Sequence, residues 1–480
     1  MPSLPDIAVE IDRPRPERGV FVNRTLNMRG IQAVGYDMDY TLIHYRVDEW
    51  EGAAFREARD LLGARGWPIG GLDFDPDRFT LGLAFDLHLG NVVKATRFGY
   101  VRRAQHGIRV LPFEEQRKQY RETIVELSEP RFEFMNTMFE LSRADLFTQF
   151  VAIHDDTPLP GVTSYADLYW QVDDALSETH LTGTLKAEIV ADPDRFVDLD
   201  PEIVAALVDQ RGAGKQLVLI TNSDWAYSRQ MMAYALDRYC PDNTTWRDLF
   251  DLVIVSANKP RFFAHTDPLY HVVDEDRSLL RPHYGPLESG QVYFGGNARL
   301  VEQSLGLRAG LPLYVGDHLF GDVHVTKDVL RWRTALIARE LEAEILDAIA
   351  FDAKQEQLEV LMHEKVGLER SQAQLRLDRQ RGRPDRDRRD VSEALAAISG
   401  RLGALDDQIA PLAQGASELG NSSWGPLMRA GNDKSLFARQ VERYADVYTS
   451  RASNLRYETP FGYLRAARGS LPHDLASEID

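Results

Sequence analysis

The sequence predicts an α/β fold built on a parallel sheet, and three observations predict it. Short apolar runs recur along the chain, each closed by a polar cluster, at residues 31–36, 216–220, 252–255, 291–294, 311–315 and 334–337. Helix-like segments precede several of them, and strand–helix alternation is the pattern of a parallel sheet covered by helices. A long interval, from Asp37 to Thr221, separates the first run from the second. No simple crossover needs that length, so a second domain is expected there.

Taken in order, the first run ends in Gly35-Tyr36-Asp37-Met38-Asp39. The interval after it is rich in aromatics: Phe132, Phe134, Phe139, Tyr165, Tyr169 and Trp170. Rings at this density bury large areas and imply a core of their own, although one or two could stack on a planar ligand. In 201–210, Ile203, Ala206 and Leu207 follow i, i+3, i+4 spacing, and Gly212 and Gly214 end that helix before the next run. Beyond the sixth run, Leu341, Ile345 and Ile349 open a long helix with a polar outside. Leu395, Ile398, Leu402, Leu405 and Ile409 form a second, coiled-coil-like stripe. The charge-dense stretch 379–390, with Gly382 and Pro384, reads as a solvated turn between two helices.

The chain has 480 residues and 44% hydrophobic content, enough for two to four units at roughly 150 residues each. A lone cysteine, Cys240, excludes both an internal disulfide and a Cys-rich metal site, which fits a reducing compartment and a small apolar residue in the packing. The net charge of −18 argues against a duplex nucleic acid as partner, because phosphates are neutralised by basic side chains. It does not exclude one small anion held in a local positive pocket. The N-terminus lacks a basic start followed by an apolar run, and no stretch of about 18 apolar residues occurs. No membrane partner is therefore expected, and a cytoplasmic protein is.

In parallel sheets the ligand site lies outside the carboxyl ends of the strands, so the residues after each run carry the chemistry. Asp37 and Asp39 can be swung into one site just past a strand and can bind a hard cation such as Mg²⁺, although acidic pairs on turns are common. Thr221-Asn222-Ser223 suits a phosphate oxygen, and equally suits an ordinary helix N-cap. Lys259 places an ammonium nearby, where a lysine is ordinarily solvated. In Gly316-Asp317-His318-Leu319-Phe320-Gly321-Asp322, Asp317 and Asp322 can complete a metal shell.

This ordered set of Asp-x-Asp, Thr, Lys and Gly-Asp-x-x-x-x-Asp resembles the haloacid dehalogenase (HAD) superfamily. No single member is specific, but the ordered set is. Gly-Tyr-Asp-Met-Asp-Tyr-Thr-Leu, with 21–28 before it, is similar to the cytosolic purine 5′-nucleotidase (HAD-IG type) family. So are Gly90-Asn91-Val92-Val93-Lys94, Thr221-Asn222-Ser223-Asp224, the Asp317–Asp322 loop and 436–446. The resemblance runs from about residue 20 to about residue 475, with 379–390 outside it.

It implies a Rossmann-like HAD core with a cap inserted between the first and second motifs and a C-terminal helical extension. The expected division is core at 1–107 and 186–350, cap at 108–185, helical hairpin at 351–415, and a C-terminal segment packing on the core at 416–480. The family hydrolyses nucleoside 5′-monophosphates, preferring purines, with Mg²⁺, and related enzymes form homo-oligomers, dimers or tetramers. By resemblance Asp37 is the nucleophile and Asp39 the general acid and base. Lys259 neutralises charge, and Thr221 and Asn222, with Ser223, grip the phosphoryl group. The metal is held by Asp37, the Asp39 carbonyl and Asp317, with Asp322 positioning a metal water or the loop. Lys186 matches a lysine at the cap–core junction, while an exposed lysine is an equal reading. Asp173 and Ser177 align where the purine enzymes carry an arginine and an aspartate that read the base. His318, in a tight loop between Asp317 and Leu319, is expected to be structural. The rival functions are a HAD phosphatase for another small phosphomonoester and a low-activity scaffold, which ought to have lost Asp37, Asp39, Lys259 or Asp317.

Overall fold

The computed structural model describes residues 13–307, 312–381 and 388–469. The apolar runs become β1 (Ala33–Tyr36), β2 (Gln216–Ile220), β3 (Leu252–Val255), β4 (Val292–Gly295), β5 (Pro312–Gly316) and β6 (Arg333–Ile337). They lie in the order β6-β5-β1-β2-β3-β4, all parallel, inside a ten-stranded sheet. Every residue of β1, β3 and β5 is buried, because helices cover both faces, so these strands read as continuous apolar runs without alternation. On one side the Val447–Thr449 strand pairs parallel with β6, and Val20–Val22 pairs antiparallel with it. On the other, the Leu269–Asp274 and Leu279–Pro282 hairpin extends β4.

Between β1 and β2 the chain builds α1 (Val47–Ala64), α2 (Leu141–Asp156), α3 (Tyr165–Thr182) and α4 (Thr184–Ala191). It also builds a five-stranded antiparallel sheet from segments between Ala84 and Phe134. Residues 107 and 108, where the cap is expected to begin, fall in the tight turn between the Val101–His106 and Arg109–Val110 strands of that sheet. Of the expected aromatic core, Phe132, Phe134 and Tyr169 are buried, whereas Trp170 is 48% exposed.

The helix Ile203–Gly212 buries Ile203, Ala206 and Leu207 and leads into β2; α5 (Trp225–Leu236) follows β2. After β6 come α6 (Leu341–Arg381) and α7 (Arg388–Ser417), joined side by side through Arg401–Glu364 and Lys365–Asp406 pairs. Leu405 and Ile409 are buried as the stripe predicts, but Ile349 is 51% exposed: the buried position on that part of α6 is Phe351, two residues on. Gly382 and Pro384 of the charged turn lie outside the described residues. No described helix is long and apolar enough to cross a membrane.

The C-terminal region is woven into the core. Asp446 is fully buried and meets Arg24 at 2.8 Å, Lys327 at 2.6 Å and Arg333 at 3.1 Å, and it accepts the Thr334 N–H. Burial alone would raise its pKa, but these cations, Lys327 foremost, hold the carboxyl below its usual range.

Candidate active site

The strand order reverses at β1, which has β2 on one side and β5 on the other, so a crevice opens at their carboxyl ends. Asp37 follows β1, and its N–H donates to Val315 O of β5 at 3.0 Å. Close packing at this seam needs glycine twice. A Cβ on Gly35 would stand 2.8 Å from the Tyr314 ring, and one on Gly316 would stand 2.5 Å from the Asp322 carboxylate.

Lys259 arrives from the loop after β3. Ser256 and Asn258 take left-handed φ values of 45° and 59°, which turn the chain sharply. The Lys259 ammonium lies 2.7 Å from Asp37 Oδ1 and 2.8 Å from Asp322 Oδ1, and donates to Tyr314 Oη at 3.2 Å. Burial would lower its pKa, yet Asp322 and Asp37 together push it well above the usual lysine range, so it stays charged.

Asp37, Asp317 and Asp322 bring carboxylate oxygens within 4.8 Å of one another. One ammonium does not neutralise three carboxylates. Burial is the largest cause that pushes Asp37 up to about 7, with Lys259 opposing it and Asp322 adding to it. Burial and the Asp37 and Asp322 charges push Asp317 well above the carboxylate range. Crowded, buried, oxygen-only donors with surplus negative charge fit a small hard dication. The Asp39 carboxylate is not among them: Tyr45 donates to its Oδ1 at 2.6 Å and Ser223 to its Oδ2 at 2.7 Å.

Thr221 is buried after β2, and its Oγ1 accepts the Ser223 N–H, which leaves its own hydroxyl proton to donate. The Asn222 amide accepts the Lys259 N–H at 2.6 Å and donates to the Lys259 carbonyl at 3.2 Å, so the side chain fastens the lysine loop. Lys186, on α4, donates to Ser223 Oγ at 3.3 Å and sits 3.6 Å from Asp224. It reaches the rim of the centre through Ser223. His318 Nδ1 accepts the Gly321 N–H at 2.8 Å, a loop-closing role.

Asp173 belongs to a neighbouring cluster. It pairs with Arg143 of α2 at 2.7 Å, and Arg143 also meets Glu140 at 3.0 Å. Ser177, one turn on, is exposed. Glu140 accepts the Asn136 N–H, and the next residue, Thr137, donates to Asp317 Oδ2 at 3.0 Å, which links this cluster to the centre. Sequence reasoning missed Thr137, Tyr45 and Tyr314. Tyr45 stands only six residues past Asp39, in the next short strand, and was within reach, whereas Thr137 meets Asp317 across 180 residues of chain with no local signal.

The human 5′-nucleotidase domain-containing protein 2 is 28% identical over 477 residues, covering 96% of this chain and 86% of that protein. Two solved structures show only distant likeness. A beta-phosphoglucomutase from a hyperthermophilic Pyrococcus has 10% identity and a TM-score of 0.31, and CbbY from Rhodobacter sphaeroides in complex with phosphate has 14% and 0.24. Each comparison covers 64% of this chain and 86% of the other. The profile of the 5′ nucleotidase family matches residues 20–476, a span that holds every residue of the site. The chain therefore belongs to the 5′ nucleotidase family and is a hydrolase of the 5′-nucleotidase type.

Proposed function

We propose that the protein is a Mg²⁺-dependent HAD-type phosphohydrolase that releases phosphate from nucleoside 5′-monophosphates, purine-leaning, through an aspartyl-phosphate on Asp37. The observation that carries this reading is the meeting of Asp37, Lys259, Asp317 and Asp322 at the carboxyl ends of β1, β3 and β5. Phosphate monoesters resist attack because their anionic oxygens repel a nucleophile. Lys259, fixed by Tyr314 and by the Asn222 clamp, offsets part of that charge. Asp37, Asp317 and the Asp39 carbonyl would hold Mg²⁺, with Asp322 positioning the loop. The bound ion supplies further neutralisation of the phosphoryl oxygens.

An Asp37 oxygen forms a bond to phosphorus as the bond to the ribose oxygen breaks, and Asp39 gives that oxygen its proton. Asp39 then takes a proton from the water that hydrolyses the intermediate. Thr221 and the main-chain N–H groups of Asn222 and Ser223 steady the transferring group, so most of the rate gain is positioning and electrostatics. The cap is the segment 84–182, widened from 108–185 because a boundary at 108 would cut the five-stranded sheet. Of the two α3 residues that would face the base, Asp173 is already paired with Arg143 and Ser177 is exposed, so α3 reads the base only weakly.

The test is Asp37→Asn, which removes the nucleophile and nearly keeps its shape. Turnover is expected to vanish while the fold and Mg²⁺-dependent nucleotide binding persist, and beryllofluoride is expected to attach at Asp37 in the wild type. Near-wild-type turnover by the variant rejects the covalent route.

A further inference from the structure

Asp39 is gripped at both carboxylate oxygens, and its two grips differ in kind. Ser223 Oγ, at 2.7 Å from Oδ2, is shared with Lys186, a residue at the rim of the centre. Tyr45, at 2.6 Å from Oδ1, is anchored from behind. Its ring is 4% exposed and packs 4.3 Å from Trp50 and 5.4 Å from Tyr40, centroid to centroid. Its backbone lies in the short strand His44–Tyr45, paired with Val197–Asp198. Its hydroxyl also lies 3.0 Å from that of Tyr227, which is buried on α5. While Asp39 is ionised the Tyr45 proton goes to its carboxylate, which leaves Tyr227 to donate to Tyr45. Two hydroxyls thus form a one-way chain, Tyr227 to Tyr45 to Asp39, ending on one oxygen.

We propose that Tyr45, backed by Tyr227, is a positioning residue that fixes the Asp39 carboxyl for proton transfer to the leaving oxygen. The inference rests on the reading of Asp39 as general acid and base. A carboxylate offers about four lone-pair sites, and the two hydroxyls occupy two, so the shuttled proton still has a place. As the Asp37 oxygen–phosphorus bond forms and the phosphorus–ribose oxygen bond breaks, the Asp39 proton passes to the ribose oxygen. Water returns a proton to Asp39 in the second step. Transfer requires the two heavy atoms at hydrogen-bond distance, about 2.6–3.2 Å, and an aspartate turning freely about its terminal torsion meets that condition only part of the time. Tyr45 touches Asp39 and none of the reacting atoms.

The test compares kcat/KM for IMP and for p-nitrophenyl phosphate in Tyr45→Phe and Tyr227→Phe. This constant reports events up to the first irreversible step, formation of the aspartyl-phosphate. The ribose oxygen must gain a proton as it leaves, whereas p-nitrophenolate departs as an anion. Tyr45→Phe is expected to lose about 10–100-fold on IMP, part of the usual general-acid contribution, and less than about threefold on p-nitrophenyl phosphate. Tyr227→Phe is expected to lose less, in the same sense. It also carries the test if Tyr45→Phe unfolds, since it leaves the Tyr45 ring in place. Equal losses on both substrates mean a merely structural role and overturn the proposal, as does an unchanged constant for IMP. Asp39→Asn separates the two levels. If it stays active on IMP, the acid–base reading falls and takes the inference with it. If it is inactive while Tyr45→Phe matches the wild type, only the positioning role falls.

Discussion

Asp317 is held by Thr137 on one side and crowded by Asp37 and Asp322 on the other, so it tolerates its charge best with a cation beside it. Asp317→Ala is therefore expected to need at least about tenfold more Mg²⁺ for half-maximal activity. Wild-type activity lost in EDTA should return with Mg²⁺, and full activity in chelator would reject the metal scheme. Glu51 offers a test of stability independent of the metal. It is fully buried, accepts the Ser142 N–H at 2.8 Å, and leaves Oε1 without a partner. Burial pushes its carboxyl up to about 7, above its value in the unfolded chain, so the folded state prefers the protonated form. Its favourable contribution is complete below the unfolded value near 4.5 and is lost as the pH rises towards 7. Glu51→Gln should match the wild type near pH 4.5 and gain on the order of 2 kcal/mol at pH 8, read by denaturant unfolding at both pH values. Strand-end residues such as Asp37 and Lys259 were legible in sequence because topology alone brings strand ends together. Tyr314 and Thr137 were not, since nothing local says which distant atom a hydroxyl will meet.

At the scale of elements, the β1–β5 seam governs the site more than any helix does. Gly316 ends β5 directly against the Asp322 carboxyl, and the Asp317–Asp322 loop turns back on that contact. Gly316→Ala should displace Asp322 from Lys259, destabilise the protein by about 1–3 kcal/mol and reduce kcat more than KM. An active variant with wild-type kcat would mean that the loop absorbs the methyl without moving the carboxylate. The six parallel strands were readable as continuous apolar runs because both of their faces are covered. The five-stranded sheet was not read: Val101–His106 is largely polar and Arg109–Val110 is exposed, so no continuous apolar run marks these strands. Ile349 was misjudged for a related reason, because a stripe begun at Leu341 fixes a helix's period but not how far a packing partner follows it.

For the whole molecule, the expected consequence of the inserted segment is selectivity. Asp173 faces a cation from α2, and Ser177 offers only a small hydroxyl, so the purine enzymes' charged pair is not reproduced on α3. A site that reads its ligand with few buried polar groups discriminates weakly. We expect kcat/KM for IMP, AMP and CMP to lie within about a hundredfold of one another, with ribose 5-phosphate used less well. A larger preference for IMP would refute the relaxed reading, and equal use of ribose 5-phosphate would remove the base from recognition.

The Val447–Thr449 strand lies between β6 and Val20–Val22, with Asp446 joining Arg24 to Lys327 and Arg333 just before it. The first strand of the sheet thus has its partner near the far end of the chain. During synthesis, which delivers the N-terminal part first, Val20–Val22 must wait unpaired while more than four hundred residues follow it out of the ribosome. Until then β6 is an open edge, able to pair with the same edge of another nascent copy. The closing strand acts as a latch that arrives last, so a chain interrupted before residue 447 would retain Asp37, Lys259, Asp317 and Asp322 and yet be prone to aggregate.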